Sequence, residues 1–257
     1  MTAPANLTRR ARIGAAFAAA RDYDRHARVQ QAVARGLAGR IAELRLPAGA
    51  RVLEIGCGTG FLTAELVRLG LGQRLLVTDL APAMIERARG AVGEAPGRQF
   101  RVLDGEHGAR PGEAPFDLIA SSLTFQWFDD LPAAVARLTG WLAPGGVLAF
   151  TTLAAGTFAE WQDAHEALGI AAGTPTFPGR AALACVMPEV ALATIAEPQG
   201  SARAFLHAVK AIGAGTAASG HRPLPPGQLR QVMARFEAGG ARATYQVATC
   251  LLRKEEP

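Results

Sequence analysis

"RVLEIGCGTGF" (residues 51–61) is the stretch that decides the fold. Its apolar first half leads into a loop that holds Gly56, Gly58 and Gly60, and the acidic Glu54 stands just before that loop. Because glycine has no side chain, a backbone built from it can pass close to a ligand. The spacing lacks the third glycine of the dinucleotide fingerprint, and no Gly-Lys-Ser or Gly-Lys-Thr follows to make a phosphate-binding loop. The pattern favours a loop at the end of a strand that binds some other ligand.

Apolar runs with the length of strands alternate with segments of helical spacing up to Leu153. Pro82 near the start of one helical segment and Pro144 after another are typical of helix boundaries. Helices that connect successive strands indicate a mostly parallel sheet covered on both faces. The predicted strands are 51–55, 74–79, 100–103, 116–122 and 146–153, and the predicted helices between them are 61–70, 82–92 and 130–143.

The alternation breaks after Leu153. We predict an insertion of helix and loop over 154–190, a strand over 191–196, helices over 202–215 and 225–240, and a closing strand over 243–254. Residues 1–46 are predicted to be mainly helical. Since no repeat or linker interrupts the chain, we predict one α/β domain over 1–257, with its core in 47–153 and its last strands and helices in 191–257.

The composition excludes several classes of protein. It is 49% hydrophobic and 19% charged, and no apolar run approaches the roughly 20 residues of a membrane helix. Cys57, Cys185 and Cys250 are widely spaced and odd in number, which argues against a disulfide framework and for a cytoplasmic protein. The net charge of +5 is explained either by an arginine-rich composition with solvated faces or by attraction to an acidic partner. The basic residues are scattered and form no nucleic-acid motif, so we expect no nucleic acid, membrane or metal to bind.

Acidic residues at the ends of the predicted strands narrow the choice of ligand. Asp79 closes the second strand, where a carboxylate can accept both hydroxyls of a ribose, and Asp104 follows the third, where it can accept an adenine amine. Glu54 can lie near an ammonium group. Adenine, ribose and an amino acid without phosphate make up S-adenosylmethionine, which we predict as the cofactor. The alternative is that these acids only cap helices and turns on the surface.

Several segments resemble a known family. LEIGCGTGFLTAEL (53–66), TDLAPAMIERAR (78–89) and LAPGGVLAFTTL (142–153) look like motifs of class I S-adenosylmethionine-dependent methyltransferases. YDRHARVQ (23–30), SSLTFQWFDDL (121–131), TTLAAGTFAEW (151–161), AVKAIGAG (208–215) and ATYQV (243–247) resemble the malonyl-acyl-carrier-protein O-methyltransferases of biotin synthesis. The resemblance implies a Rossmann-like domain with a seven-stranded sheet, an N-terminal helical lid and a helical insertion after the fifth strand. It also implies methylation of the free carboxylate of a malonyl thioester, carried by acyl carrier protein or coenzyme A.

The resemblance assigns roles to residues of this chain. Tyr23 on the lid and Gln126 and Trp127 after the fourth strand would line the methyl-transfer pocket. The residues expected at the cofactor are Glu54, Gly56, Gly58, Gly60, Asp79, Leu80, Asp104 and Ser121, with Leu80 against the adenine and Ser121 beneath the cofactor. The corresponding packing alternatives are a core aromatic for Trp127 and a surface tyrosine for Tyr23.

The chain departs from the family where the substrate carboxylate should bind. The pattern of the family that this chain resembles includes an Asn-Arg-Phe triplet in the insertion. This chain has Thr176 in place of the arginine. Arg180 and Lys210 are the candidate replacements, with Arg222 as a further one. Three alternatives to this function remain. The first, an O-methyltransferase for another small carboxylic acid, follows from the missing arginine. The other two are a cofactor-binding interaction module without turnover and a nicotinamide-dependent oxidoreductase, which the glycine spacing disfavours.

Overall fold

The structure is a computed structural model that describes residues 14, 15, 17, 23–211 and 222–256. The chain forms two compact units. The larger unit contains residues 28–153, 179–193 and 247–256, and the smaller contains the described residues before 28 together with 154–178, 194–211 and 222–246. The first part of the predicted lid and the end of the helix predicted over 202–215 lie outside the described residues.

Seven strands form one sheet in the order β3-β2-β1-β4-β5-β7-β6. The first five strands run parallel and β7 pairs antiparallel with β5. The strands are β1 Val52–Ile55, β2 Leu75–Asp79, β3 Arg98–Val102, β4 Phe116–Ser122, β5 Leu142–Leu153, β6 Glu189–Pro198 and β7 Arg242–Arg253. This arrangement confirms the predicted seven-stranded, mostly parallel α/β fold.

The chain order reverses direction across the sheet at β1, which has β2 on one side and β4 on the other. Val52 lies opposite Leu75 of β2 and Leu118 of β4, so the carboxyl ends of the three strands lie at one edge. Ligands of open α/β sheets bind in the crevice outside such a reversal point. The glycine loop follows β1 directly and therefore lies at this edge.

Helices of the larger unit cover the central strands. They are α2 Arg28–Ala42, α3 Phe61–Arg68, α4 Pro82–Val92, α5 Leu131–Trp141 and the short α7 Arg180–Ala184. Leu37 and Ile41 of α2 and Leu62 and Leu66 of α3 are buried in one hydrophobic cluster with Val52 of β1. All four residues of β1 are buried, as expected of a strand with a helix on each face.

The boundary between α5 and β5 differs from the one predicted. The helix predicted to end at 143 ends at Trp141, and Leu142 already belongs to β5 because it pairs with Phe116 of β4. Asp130 begins this helix by accepting a hydrogen bond from the backbone N–H of Ala133. Such a cap satisfies one of the donors that a helix leaves unpaired at its start.

The smaller unit contains α1 Tyr23–His26, α6 Ala159–Glu166, α8 Ala202–Ala211 and α9 Pro226–Ala238. An aromatic cluster joins α6, α8 and α9: Trp161 lies 5.4 Å from Phe205 and 5.5 Å from Phe236 between ring centres. Rings at these separations and inclined to one another stabilise a core beyond their buried area. None of the helices in the described ranges has both the length and the apolar character to cross a bilayer.

Candidate active site

The three glycines of the loop after β1 meet three different surroundings. A Cβ added to Gly56 would overlap the side chain of Thr124, and one added to Gly60 would lie 3.1 Å from Cα of Ala88 on α4. A Cβ added to Gly58 would meet no atom within 4 Å. Gly56 and Gly60 are therefore required by neighbouring protein segments, whereas Gly58 leaves open space into which a ligand can approach the backbone.

Asp79, at the end of β2, holds the loop in place. Its Oδ2 accepts the backbone N–H of Gly58 at 2.9 Å, and its Oδ1 accepts the N–H of Ala81 at 2.8 Å. Burial raises the pKa of this carboxyl, and hydrogen bonds from Ala81, Gly58 and Leu80 act against the increase. Each carboxylate oxygen has a second lone pair, so Asp79 can still accept two ribose hydroxyls.

Glu54 is a buried acid inside β1, with 1% of its surface exposed. Its Oε2 accepts the hydroxyl of Thr63 on α3 at 2.7 Å. Burial raises the pKa of Glu54 from its ordinary 4.5 to about 8; the bond from Thr63 lowers it and the charge of Asp79 raises it further. A carboxyl in this environment is suited to a neighbouring cation, which would stabilise its ionised form.

The end of β4 lies against the end of β1. Ser121 is fully buried and donates its hydroxyl to the carbonyl of Ile55 at 2.7 Å. Thr124 donates to the carbonyl of Gly56 at 3.2 Å, and Leu123 between them has a φ of 51°. A left-handed backbone is uncommon for leucine and is found where surrounding contacts enforce it.

Gln126 and Trp127 lie on the 3₁₀ turn Phe125–Trp127 that follows β4. The amide nitrogen of Gln126 donates to the carbonyl of Leu123 at 2.7 Å. Its amide oxygen is buried and has no hydrogen-bond partner. Trp127 is half-buried and its backbone N–H donates to Thr124. A buried acceptor without a donor is costly, and such groups are concentrated at functional sites.

Asp104 lies on the turn after β3. Its Oδ1 accepts the backbone N–H groups of Glu106 at 2.8 Å and His107 at 3.0 Å. A Cβ on the next residue, Gly105, would overlap Ile55 at the end of β1, so this turn packs against the same edge of the sheet as the glycine loop. The structure thus brings Asp104 to the edge at which β2 ends with Asp79 and β1 ends one residue after Glu54.

Four further residues at this edge were not predicted as site residues from the sequence: Thr59, Val102, Glu106 and Thr124. The hydroxyl of Thr59 is buried in the loop without a hydrogen-bond partner. Val102 is 49% exposed at the end of β3, opposite Asp79 of β2, and Leu80 is 38% exposed beside it. Position was the only signal in the sequence for two of these site residues: Val102 lies at the end of a strand and Thr59 lies inside the glycine loop.

The remaining candidates belong to other segments of the chain. Tyr23 of the smaller unit is half-buried, with its ring centre 6.4 Å from that of Phe17. Lys210 in the last turn of α8 and Thr176 in the insertion are exposed in the same unit. Arg180 is exposed at the start of α7 in the larger unit. Exposure alone assigns no substrate role to Lys210, Thr176 or Arg180.

S-adenosylmethionine fits the residues at this edge. The open space at Gly58 and the unpartnered hydroxyl of Thr59 suit the amino-acid part of such a ligand, and the oxygens of Asp79 suit its ribose. Leu80 and Val102 expose apolar surface at the ends of adjacent strands, as the flat face of an adenine requires.

The fold and this arrangement are those of a methyltransferase. Residues 53–148 match the family model of a methyltransferase domain. The YcgJ protein of Bacillus subtilis has the same fold, with a TM-score of 0.57, 15% identity and coverage of 87% of this chain and 100% of that one. Phosphoethanolamine N-methyltransferase 2 of Haemonchus contortus also has it, with a TM-score of 0.59, 12% identity and coverage of 99% and 62%. The class is that of the S-adenosylmethionine-dependent methyltransferases.

Relatives in sequence define the family within this class. The biotin biosynthesis bifunctional protein BioCD of Bordetella avium is 47% identical over 240 residues, which are 92% of this chain and 51% of that protein. Malonyl-acyl-carrier-protein O-methyltransferases of Magnetococcus marinus and Enterobacter lignolyticus are 40% and 32% identical, over 93% and 95% of this chain and 91% and 97% of theirs. The chain thus spans about half the length of the bifunctional relative and nearly all of the other two. It belongs to the malonyl-acyl-carrier-protein O-methyltransferase family, as the sequence motifs predicted.

Proposed function

We propose that this chain transfers the methyl group of S-adenosylmethionine to the free carboxylate of a malonyl thioester in biotin biosynthesis. The observation that carries the proposal is the 40% identity to a malonyl-acyl-carrier-protein O-methyltransferase across 93% of this chain and 91% of that protein. The thioester would be carried by acyl carrier protein or by coenzyme A. The three cysteines are free thiols, which supports the further proposal of a cytoplasmic, reducing location.

Positioning is the main contribution expected of this active site. When bound, the cofactor supplies an electrophilic methyl group on its sulfonium. A malonyl carboxylate has an ordinary pKa of about 4 and is already ionised at pH 7, so the chain need not supply a general base. Holding two reactants in line is worth up to about 7–11 kcal/mol of the barrier. We propose that Asp79, Gly58 and Glu54 hold the cofactor, with Asp104 and Leu80 at its adenine.

On the acceptor side we propose Gln126 and Trp127 as the walls of the transfer pocket. We propose Tyr23 for the lid. Of the lid predicted over residues 1–46, the part in α2 belongs to the core instead, because its Leu37 and Ile41 are buried in the hydrophobic cluster. The unpartnered amide oxygen of Gln126 supports its place in the transfer pocket, because a bound ligand can supply the missing donor. Excluding water would strengthen every charge interaction in such a pocket.

A cation must meet the substrate carboxylate, because an unpaired charge in a dry pocket is costly. We propose Arg180 or Lys210 for this role, both of which are exposed and available to a ligand. The exposed Thr176, at the position of the family arginine, also favours a second candidate function: methylation of another small carboxylic acid by the same cofactor site.

Transfer of label from methyl-labelled S-adenosylmethionine tests the proposal. Malonyl-acyl carrier protein, malonyl-coenzyme A, free malonate and acetyl-acyl carrier protein should be compared as acceptors. We expect label on the malonyl thioesters and none on the acetyl thioester, which lacks a free carboxylate. Label on free malonate alone would favour the second function. Binding of S-adenosylhomocysteine without label on any acceptor would contradict the malonyl substrate and leave the cofactor assignment in place.

The choice between the two cations follows from the same assay. Arg180→Gln and Lys210→Gln each remove one charge from an exposed side chain and should leave the fold unchanged. The variant that lost the substrate cation should show a raised KM for the malonyl thioester with an unchanged affinity for S-adenosylhomocysteine. Arg203, exposed on the same helix as Lys210, provides a matched control in Arg203→Gln. An equal effect of all three variants would indicate loss of net charge only.

A further inference from the structure

A buried carboxylate links two turns of the candidate active site. The turn 104–108 after β3 carries Asp104, and its Glu106 is only 6% exposed. Oε1 of Glu106 accepts the backbone N–H groups of Asp129 and Asp130, both at 2.7 Å. These two residues directly follow the segment with Gln126 and Trp127. Glu106 therefore connects the adenine side of the site to the acceptor side.

The link spans the centre of the sheet. The sheet order places β2 and β1 between β3 and β4, so the turn after β3 must reach past the ends of two strands to contact the segment after β4. Gly105 permits this, since a Cβ there would overlap Ile55 of β1 and lie 3.3 Å from the ring of Phe128. The close approach of these backbones brings Glu106 within hydrogen-bond distance of Asp129.

A second contact fixes the same turn from the other side. Arg137 of α5 donates to the carbonyl of Gly108 at 2.6 Å and to the carbonyl of Gly105. Its guanidinium lies 4.6 Å from the centre of the Trp141 ring. Glu106 thus bonds the turn to the start of α5, and Arg137 bonds it to the middle of the helix, so contacts at two points join the turn to α5.

We propose that Glu106 is a positioning residue for methyl transfer, which holds the adenine-side turn and the Gln126–Trp127 turn at a fixed separation. The inference rests on the proposed function and deepens it, because Glu106 acts through Asp104 on one side and through Asp129 and Asp130 on the other. It is not required to touch the cofactor or the substrate. Loss of the link should weaken cofactor binding and slow transfer together, since one turn serves each step.

The position of the acceptor oxygen is what the link requires. Two N–H groups converge on a single oxygen, and a glutamine can place its amide oxygen at the same point. Aspartate keeps the charge but is one methylene shorter, so its oxygen falls short of Asp129. A role that depended only on negative charge would give the opposite order, with aspartate better than glutamine.

Titration of S-adenosylhomocysteine into purified Glu106 variants tests the proposal without any methyl acceptor. We expect Glu106→Gln to bind within about threefold of the wild type, and Glu106→Asp and Glu106→Ala to lose roughly tenfold or more. In the labelling assay the last two variants should show both a raised KM for S-adenosylmethionine and a lower kcat. The Gln and Asp variants keep the test available if Glu106→Ala does not fold.

Asp117→Ala is the matched control. Asp117 also accepts a backbone N–H, that of Arg51 at 2.7 Å, but at the amino end of β4, opposite the site. The Asp117→Ala variant should have a lower melting temperature than the wild type and an affinity for S-adenosylhomocysteine within about twofold of the wild type. Equal losses in affinity for Asp117→Ala and Glu106→Ala, or stronger binding by Glu106→Asp than by Glu106→Gln, would overturn the positioning role. A wild-type chain that does not bind S-adenosylhomocysteine would overturn the cofactor assignment as well, so the two failures are distinguishable.

Discussion

Replacing Glu54 with glutamine should remove most of the loss of stability that the protein undergoes as the pH rises from about 5 to 8.5. Glu54 is buried in β1, and its pKa is raised from 4.5 to about 8, chiefly by burial. In the unfolded chain the same carboxyl titrates at its ordinary value. Between these two values the folded protein keeps a proton that the unfolded chain has lost, so the folded state binds more protons.

The direction and the size of the effect follow from that difference. Stability falls as the pH rises wherever the folded state binds more protons, at about 1.4 kcal/mol per pH unit for one group. The contribution of Glu54 is most favourable below pH 4.5 and is lost as the pH approaches 8. Over the full window the loss reaches about 5 kcal/mol, and between pH 5 and 8.5 it is about 4 kcal/mol.

Urea unfolding of the wild type and Glu54→Gln at half-unit steps between about pH 5 and 8.5 measures this difference. The amide can still accept the hydroxyl of Thr63, and its buried NH₂ group adds a penalty that does not depend on pH. The slope of the difference is therefore the readout, not its value at one pH. Glu113→Gln is the control, because the bond from Arg101 lowers the pKa of that half-exposed acid and should give a small effect of opposite sign. A flat difference between the two curves would refute a buried Glu54 that stays protonated near neutral pH.

Four further predictions concern the glycine loop, the partner of Glu54 and a surface ion pair. Gly56→Ala overlaps the side chain of Thr124 and should cost about 2–4 kcal/mol in thermal unfolding. Gly58→Ala opens into free space and should cost only about 1 kcal/mol yet abolish binding of S-adenosylhomocysteine in calorimetry; intact binding would contradict the role of that space. Thr63→Val leaves Glu54 without its donor and should cost about 1–3 kcal/mol in urea, with an unchanged stability arguing against the bond. Arg101→Ala breaks a half-exposed ion pair with Glu113 and should cost less than about 1 kcal/mol, a loss that 1 M salt should reduce.

The strands and the cofactor loop were predictable because their signals are local. An apolar run, a glycine loop and an acid at the end of the next strand occur within some thirty residues, from Val52 to Asp79. The parallel order of the strands follows from the helices between them. Once β1 and β2 are parallel neighbours, Asp79 must lie beside Gly58, and the hydrogen bond between them is the expected result.

The link through Glu106 could not be predicted in the same way. It joins residues 23 and 24 positions apart across two intervening strands, and its acceptors are backbone N–H groups, which every residue has. The sequence therefore contains no distinctive partner for Glu106. The exposure of Val102 could not be predicted either. An apolar residue in a strand normally indicates the core, and only the structure shows that Val102, the last residue of β3, is half exposed.

The buried Glu54 within β1 and the half-buried Asp79 at the end of β2 indicate why this edge favours a cationic ligand. Glu54 and Asp79 both have raised pKa values, and the charge of Asp79 contributes to the shift of Glu54. Neighbouring carboxyls that are shielded from water repel each other and destabilise the fold when both are ionised. Their retention is explained if a bound ligand carries a positive charge to Glu54 and hydroxyl donors to Asp79, because each then stabilises the ionised form. S-adenosylmethionine supplies both: its ammonium is the positive charge and its ribose provides the hydroxyl donors. Binding of this cofactor would therefore recover the stability that the two acids cost the unliganded protein.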